Sequence, residues 1–176
     1  MPGRDFILDP SQIDYHNVIA DREAIRRFNP QRGAMEQLTA IVHDDPKTHI
    51  VVGYKDTSAD DFWHSGHMPG CPLMPGVIMC ETAAQICSYH SRRHDLLGCE
   101  VVGFGGLDNV RFRGTVLPGD RLTIVCQMTN LRRGKMINCR FEGFVGETLV
   151  CEGVIRAIPL PVEELRAQAA AKLERL

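Results

Sequence analysis

Phe62-Trp-His-Ser-Gly-His-Met-Pro-Gly-Cys-Pro-Leu-Met-Pro-Gly-Val-Ile-Met-Cys-Glu-Thr-Ala-Ala-Gln85 is the stretch that decides the fold of this 176-residue chain. Its first half reads as an ordered, stiff loop. Pro69, Pro72 and Pro75 recur every third residue with Gly66, Gly70 and Gly76 between them, and each proline removes a donor and turns the preceding residue away from helix. The second half reads as a helix from about Val77 to about His90. Val77, Ile78, Met79, Cys80, Ala83, Ala84, Ile86 and Cys87 leave almost no polar face, and a helix apolar nearly all round is a buried one.

Glu81 is the exception on that helix. Placed in its first turns, it has two readings: a carboxylate that complements the helix dipole, or a carboxyl group with work to do. The loop favours the second. It delivers His67 just upstream, and Gly76 stands where bare backbone N–H groups face outward. One short segment thus offers a base, an acid and a pair of oxyanion-type donors.

Outward from this stretch, the chain is long enough for one domain with a real core. A formal charge of −2 argues against a general nucleic-acid binder. No signal peptide is visible, and no apolar run approaches the ~20 residues of a membrane span. Seven cysteines, an odd number without a Cys-x-x-Cys pair, read as reduced thiols of a cytoplasmic protein. Five of them, Cys80, Cys87, Cys126, Cys139 and Cys151, read as small core hydrophobes; Cys71 lies in the motif loop. His64, His67 and Cys71 are close in sequence, but the prolines flanking Cys71 and the lack of a fourth ligand at zinc spacing weigh against a metal.

Asp21-Arg-Glu-Ala-Ile-Arg-Arg-Phe28 predicts a short helix, which Pro30 stops. Strands are predicted over 35–42 and 48–54, with His43-Asp-Asp-Pro46 as the turn. After Gly98 the pattern changes to period two. Strands follow over 101–115, 121–131, 135–145 and 148–158, with turns at Pro118-Gly-Asp120, Arg132-Arg-Gly134 and Gly146-Glu147. Gly103, Gly105 and Gly106 suggest bulges or a close backbone approach in the first of these. The chain is therefore α+β: an antiparallel meander after one long buried helix. Three segments are expected: an N-terminal segment over 1–29, the main domain over 30–158, and a C-terminal helix over 159–176. That last helix starts at Pro161 and carries Leu165, Leu173 and Leu176 as a stripe for packing on the subunit surface.

Gly66-His-Met-Pro-Gly-Cys-Pro-Leu-Met-Pro-Gly-Val-Ile-Met-Cys-Glu-Thr-Ala-Ala-Gln85 resembles the active-site signature of the β-hydroxyacyl-acyl-carrier-protein dehydratases of the FabZ type. Gly106-Leu-Asp-Asn-Val-Arg-Phe-Arg-Gly-Thr-Val-Leu-Pro-Gly-Asp120 is similar to the strand and turn that follow the central helix in that family, and residues 24–42 give a weaker third match. The resemblance implies a hot-dog fold, a long helix wrapped by a curved antiparallel sheet. It implies that His67 removes the proton next to a thioester carbonyl and that Glu81 protonates the departing hydroxyl. Gly76 and Val77 would hold the carbonyl oxygen, with Pro75 and Met68 beside the substrate. No metal and no cofactor are implied. The implied partners are an acyl carrier protein bearing a phosphopantetheine-linked chain and further copies of this chain, as a homodimer or a trimer of dimers, with His and Glu of one site drawn from different subunits.

An acidic carrier asks for a basic rim, for which Arg132, Arg133 and Lys135 on one turn are the candidates, with Arg111 and Arg113 on a strand; ordinary solvated charge is the competing reading for each. The chain departs from the family at Met68, at Pro30-Gln31-Arg32, and at Ala34, Met35 and Thr39, positions that flank the acyl channel in relatives. Three other readings stay open: a thioesterase, a hydratase or dehydratase of coenzyme A or polyketide thioesters, and a non-catalytic acyl-binding protein.

Overall fold

Helix α2 (Gly76–Arg93) fills the middle of the molecule because nearly every face of it is apolar or small. In the computed structural model, which describes residues 5–173, the elements before it are β1 (Ala20–Asp21), α1 (Arg22–Arg26), β2 (Ala40–Asp45) and β3 (Ile50–Asp56). After it come β4 (Val102–Phe112), β5 (Arg121–Arg132), β6 (Met136–Val145), β7 (Thr148–Pro159) and α3 (Val162–Leu173). The seven strands form one antiparallel sheet in the order β1-β2-β3-β5-β6-β7-β4.

The inner face of the sheet closes on α2. Ala83, Ile86 and Cys87 of the helix are buried with Ile124, Cys126, Ile137, Cys139, Phe141 and Ile155 of the sheet. Gly53 lets β3 come this close, since a Cβ there would meet Ile41 Cδ1 at 2.8 Å and Ile86 Cδ1 at 3.1 Å. Cutting Ile86 back to alanine would cost about 2–5 kcal/mol, the usual range for a fully buried isoleucine.

The N-terminal segment finds a place that its sequence did not announce: it covers the outer face. Phe6 packs edge-on against Phe144 at 5.2 Å, and Tyr15 against Tyr54 at 5.8 Å. The Tyr15 hydroxyl lies 2.9 Å from Thr123 Oγ1, and the Ile7 N–H donates to Glu142 Oε2 at 2.9 Å. Val42, Val52 and Val125 are thereby buried on the side away from α2.

Three local expectations need correction. The strand expected over 35–42 begins only at Ala40, after a 3-10 turn over Gly33–Met35, and continues to Asp45. The turn moves with it to residues 46–49, because the Asp45 carboxylate accepts from the Lys47 N–H at 2.8 Å and from the Thr48 hydroxyl at 2.7 Å. Helix α3 has no buried residue, and Leu165 and Leu173 are exposed; within this chain it does not pack on the subunit surface. Leu176 lies outside the described residues. By contrast, the glycine-rich strand β4 does shift register twice, between Phe104 and Gly106 and between Asp108 and Arg111. It is an edge strand, paired only with β7, and it leaves Phe104, Leu107 and Phe112 exposed.

Candidate active site

The proline-glycine loop is held from both sides. Buried Trp63 anchors its start, where its carbonyl accepts from the Gly66 and His67 N–H groups at 3.1 and 2.8 Å. Its end is tied to the body of the domain by the Met74 N–H, which donates to the Val116 carbonyl at 2.8 Å. Between these anchors, the Leu73 N–H donates to the His67 carbonyl at 2.9 Å, and His67 Nδ1 stands 3.0 Å from the Leu73 carbonyl oxygen. A carbonyl only accepts, so Nδ1 carries the hydrogen. The Nε2 lone pair of the neutral ring is therefore free to take a proton.

Helix α2 begins at Gly76 without a side-chain cap from Pro75 and without an acid in its first turn. Ile78 and Met79 donate back to the Pro75 carbonyl at 2.9 and 3.3 Å. By the geometry of a helix start, Gly76 and Val77 then carry the N–H groups with no acceptor inside the helix. These donors open into a recess of about 320 Å³ that His67, Pro75, Gly76, Val77, Met79 and Phe112 help to line. Phe112 lies over the helix start: a Cβ on Gly76 would come within 2.7 Å of its ring, so only glycine fits the observed packing. A proton acceptor and a pair of backbone donors thus share one apolar hollow.

Glu81 sits in the second turn of α2, too far along for the helix end to stabilise it much. It lines a second recess, of about 250 Å³, with Pro30, Gln31, Ala84, Phe104 and Ile155. His67 is not part of that recess, nor Glu81 of the first. Within one chain the two residues therefore do not meet in a common cavity.

What fixes Glu81 is Gln85, one helical turn on. Gln85 Nε2 donates to Glu81 Oε1 at 2.8 Å and to the Met35 carbonyl at 2.7 Å, while Gln85 Oε1 accepts from the Gln37 N–H at 2.9 Å. The Gln37 N–H can only donate, so the amide orientation of Gln85 is determined. Sequence reading assigned Gln85 no role, although its spacing of four from Glu81 on a helix was visible.

Of the residues expected beside the substrate, Pro75, Gly76 and Val77 line the His67 recess, but Met68 does not. Its side chain is half-exposed, and its N–H bonds back to the Cys71 carbonyl at 3.2 Å. The basic turn is further away still. Arg133 pairs with Asp95 at 2.5 Å, and the Gly134 N–H donates to the Leu97 carbonyl at 3.0 Å. Those contacts hold Arg132, Arg133 and Lys135 at the C-terminal end of an 18-residue helix, about 27 Å long, whereas His67 is at its start. They do not rim the His67 recess of their own chain. Near that recess Arg113 is paired with Glu152 at 2.5 Å.

Residues 29–154 match the FabA-like domain family. Among curated proteins, the chain is 30% identical over 153 residues to the 3-hydroxyacyl-[acyl-carrier-protein] dehydratase FabZ of Desulfotalea psychrophila, which spans 86% of this chain and 96% of that one. It is 37% identical over 102 residues to the corresponding FabZ of Clostridioides difficile, 58% of this chain and 71% of that one. Among solved structures, the dehydratase heterocomplex ApeI:P from Xenorhabdus doucetiae superposes with a TM-score of 0.67 at 19% identity, over 81% of this chain and 95% of that one. At that identity the likeness speaks for the fold, which is the hot-dog arrangement of a central helix in a curved antiparallel sheet.

Proposed function

The chain belongs to the FabA-like family and, within it, to the FabZ-type dehydratases, and on that premise we propose that it converts a 3-hydroxyacyl thioester, carried by an acyl carrier protein, into the trans-2-enoyl thioester and water. His67 Nε2 takes the proton from the carbon next to the thioester carbonyl. Negative charge gathers on the carbonyl oxygen, where the Gly76 and Val77 N–H groups and the positive end of α2 receive it. The electron pair then forms the carbon–carbon double bond as the hydroxyl departs with a proton from Glu81. The products are the enoyl thioester and water, with His67 left protonated and Glu81 ionised; exchange with solvent resets both.

One observation carries this reading: His67, oriented by the Leu73 carbonyl, shares a recess with the uncapped start of α2. The dehydratase names of the relatives support the choice of reaction. Because Glu81 opens into a different recess, the complete site takes His67 from one copy and Glu81 from another. The edge strand β4, with Phe104 lining the Glu81 recess and Phe112 the His67 recess, is the face on which two copies would meet. Val77 beside it is 69% exposed in the single chain, as an interface residue should be. A homodimer is therefore the smallest functional unit. No helix among the described residues is long and apolar enough to cross a membrane.

Turnover tests this directly. Crotonyl groups are offered on carrier protein, on coenzyme A and on a short free thioester, and hydration to the 3-hydroxy product is followed. The proposal expects hydration, fastest on the carrier. Free acid as the product would mean a thioesterase, the same rate on coenzyme A as on the carrier would remove the carrier from the proposal, and acyl binding without turnover would mean a non-catalytic member.

A further inference from the structure

At the far end of α2, three side chains of metal-ligand type converge from two elements. His90 lies in the last turn of α2 and His94 is its C-cap, four residues on, so the two side chains fall on the same side. Asp44 reaches them from β2, on the stretch that sequence reading took for a turn. Its Oδ1 lies 2.6 Å from His90 Nδ1 and 3.0 Å from His94 Nε2, and all three donor atoms fall within 4.8 Å of one another. The side chains of Asp44 and His90 are 2% and 0% exposed, while His94, at 22%, leaves a way in from solvent.

A carboxylate this deep, beside the negative end of a helix, needs positive charge close by. Arg93 supplies part of it, and the hydrogens that His90 Nδ1 and His94 Nε2 direct at Oδ1 supply the rest of the pairing. A bound cation would replace those hydrogens, which move to the other ring nitrogens or leave, and turn all three groups into ligands. The spacing suits a small one. Donors at 2.0–2.1 Å from a tetrahedral zinc ion stand about 3.3 Å apart, so Oδ1 must open by about 0.7 Å from His90 Nδ1 and by about 0.3 Å from His94 Nε2. The outer partners are also in place. His90 Nε2 lies 3.5 Å from His49 Nδ1, the kind of second contact that orients a ligating imidazole. Arg93 Nε stands 3.4 Å from Oδ2, the other carboxylate oxygen, and leaves Oδ1 to the ion. Among the described residues this is the one group of three His, Cys or acidic side chains close enough to hold a metal. His64, His67 and Cys71, neighbours in sequence, do not form one.

We propose that Asp44, His90 and His94 bind a divalent first-row transition cation of the Zn²⁺ type, with water completing the coordination through the opening at His94. The ion ties the C-terminal end of α2 to the β2–β3 hairpin. It stands a helix length away from Gly76, so its part is structural and independent of the reaction proposed above.

The full chain is stripped of metal with a chelator and titrated with ZnCl₂ by calorimetry, and its thermal midpoint is followed with and without the ion. One equivalent per chain is expected, with a higher midpoint in its presence. His94→Gln and Asp44→Asn should each weaken the affinity by about 100-fold or more, a loss at least as large as that for a residue behind the ligands. Cys71→Ser and His64→Gln should leave it unchanged. No binding to the wild-type chain, undiminished binding in both ligand variants, or loss of binding in Cys71→Ser would each overturn the proposal. Should a ligand variant fail to fold, the wild-type protein still decides the matter. Crystals soaked in ZnCl₂ must give an anomalous peak between the three side chains, and a blank there refutes the site.

Discussion

The two ends of α2 are opposite solutions to one problem. A helix start has bare N–H groups and a helix end has bare carbonyls, and this helix treats them differently. At its start there is no side-chain cap, no acid in the first turn, and a recess lined by His67 and Phe112. At its end the chain supplies its own donors: the His94, Asp95 and Leu96 N–H groups reach the His90, Arg92 and Ser91 carbonyls at 3.1, 3.3 and 2.9 Å, and His90, Arg92 and Arg93 put basic side chains in the last turn. The first end keeps its donors open to a recess, and the second satisfies its carbonyls from within the chain.

The strongest way to break this contrast is to remove the base. His67→Asn should lower kcat/KM for the carrier-bound substrate by about 10²–10⁴-fold, the usual share of a general base. The thermal midpoint should stay within about 2 °C, since His67 is a partly buried loop residue outside the core clusters. A variant that keeps its rate would remove His67 from the mechanism.

Mixing tests whether the open end is completed by a second copy. Homodimers of His67→Ala and of Glu81→Ala should both be nearly inactive. After subunit exchange, half the dimers are mixed, and one of the two sites in each is intact. Activity should therefore recover to about a quarter of wild type by twofold symmetry. If mass measurement shows full exchange and activity stays at the level of the unmixed variants, both residues belong to one chain's site.

Gly76 gives a smaller effect. Its added Cβ in Gly76→Ala must push Phe112 away from 2.7 Å, which disturbs the recess without deleting a donor. A fall in kcat of about tenfold is expected, short of the 10²–10³ that goes with a lost oxyanion donor. Phe112→Leu in the same chain should return part of it. A full rate in Gly76→Ala alone would show that the helix start is not crowded around the reacting oxygen.

Thiol labelling gives the smallest effect and sharpens the same comparison. Cys71, on the loop at the open end, is exposed; Cys99, just past the closed end, is partly covered. Burial is the largest influence on Cys99 and pushes its thiol above the ordinary value, with Asp95 adding to it and Arg92 opposing. Less of it is thiolate near neutral pH, so it should react more slowly. Cys80, pushed up to about 11 by burial, should not react in the folded chain. An aromatic disulfide reagent should thus find one fast thiol of the seven, and two equally fast ones would mean that the closed end opens readily.

Much of this molecule was legible in the sequence because its signals are local. Three prolines at a spacing of three declare a stiff loop whatever lies around them. A run without a polar face declares a buried helix, and period two declares the strands. Those signals, with a motif that joins His67, Gly76 and Glu81, were enough for the hot-dog fold and for a pair of candidate catalytic groups. Tertiary structure alone decided which cavity each group faces. His67 and Glu81 are 14 positions apart in sequence, yet the loop carries one to the helix start while the second turn of α2 aims the other into a separate recess. The turn with Arg133 lies at the far end because Asp95 and Leu97 hold it there, and Asp44 meets His90 across 46 residues of chain. The N-terminal aromatics carry no pattern of their own, and Phe144 and Tyr54 give them a face to cover. Periodicity and turn chemistry fix the direction of a side chain relative to its own element, and only the packing of elements against one another fixes what that side chain meets.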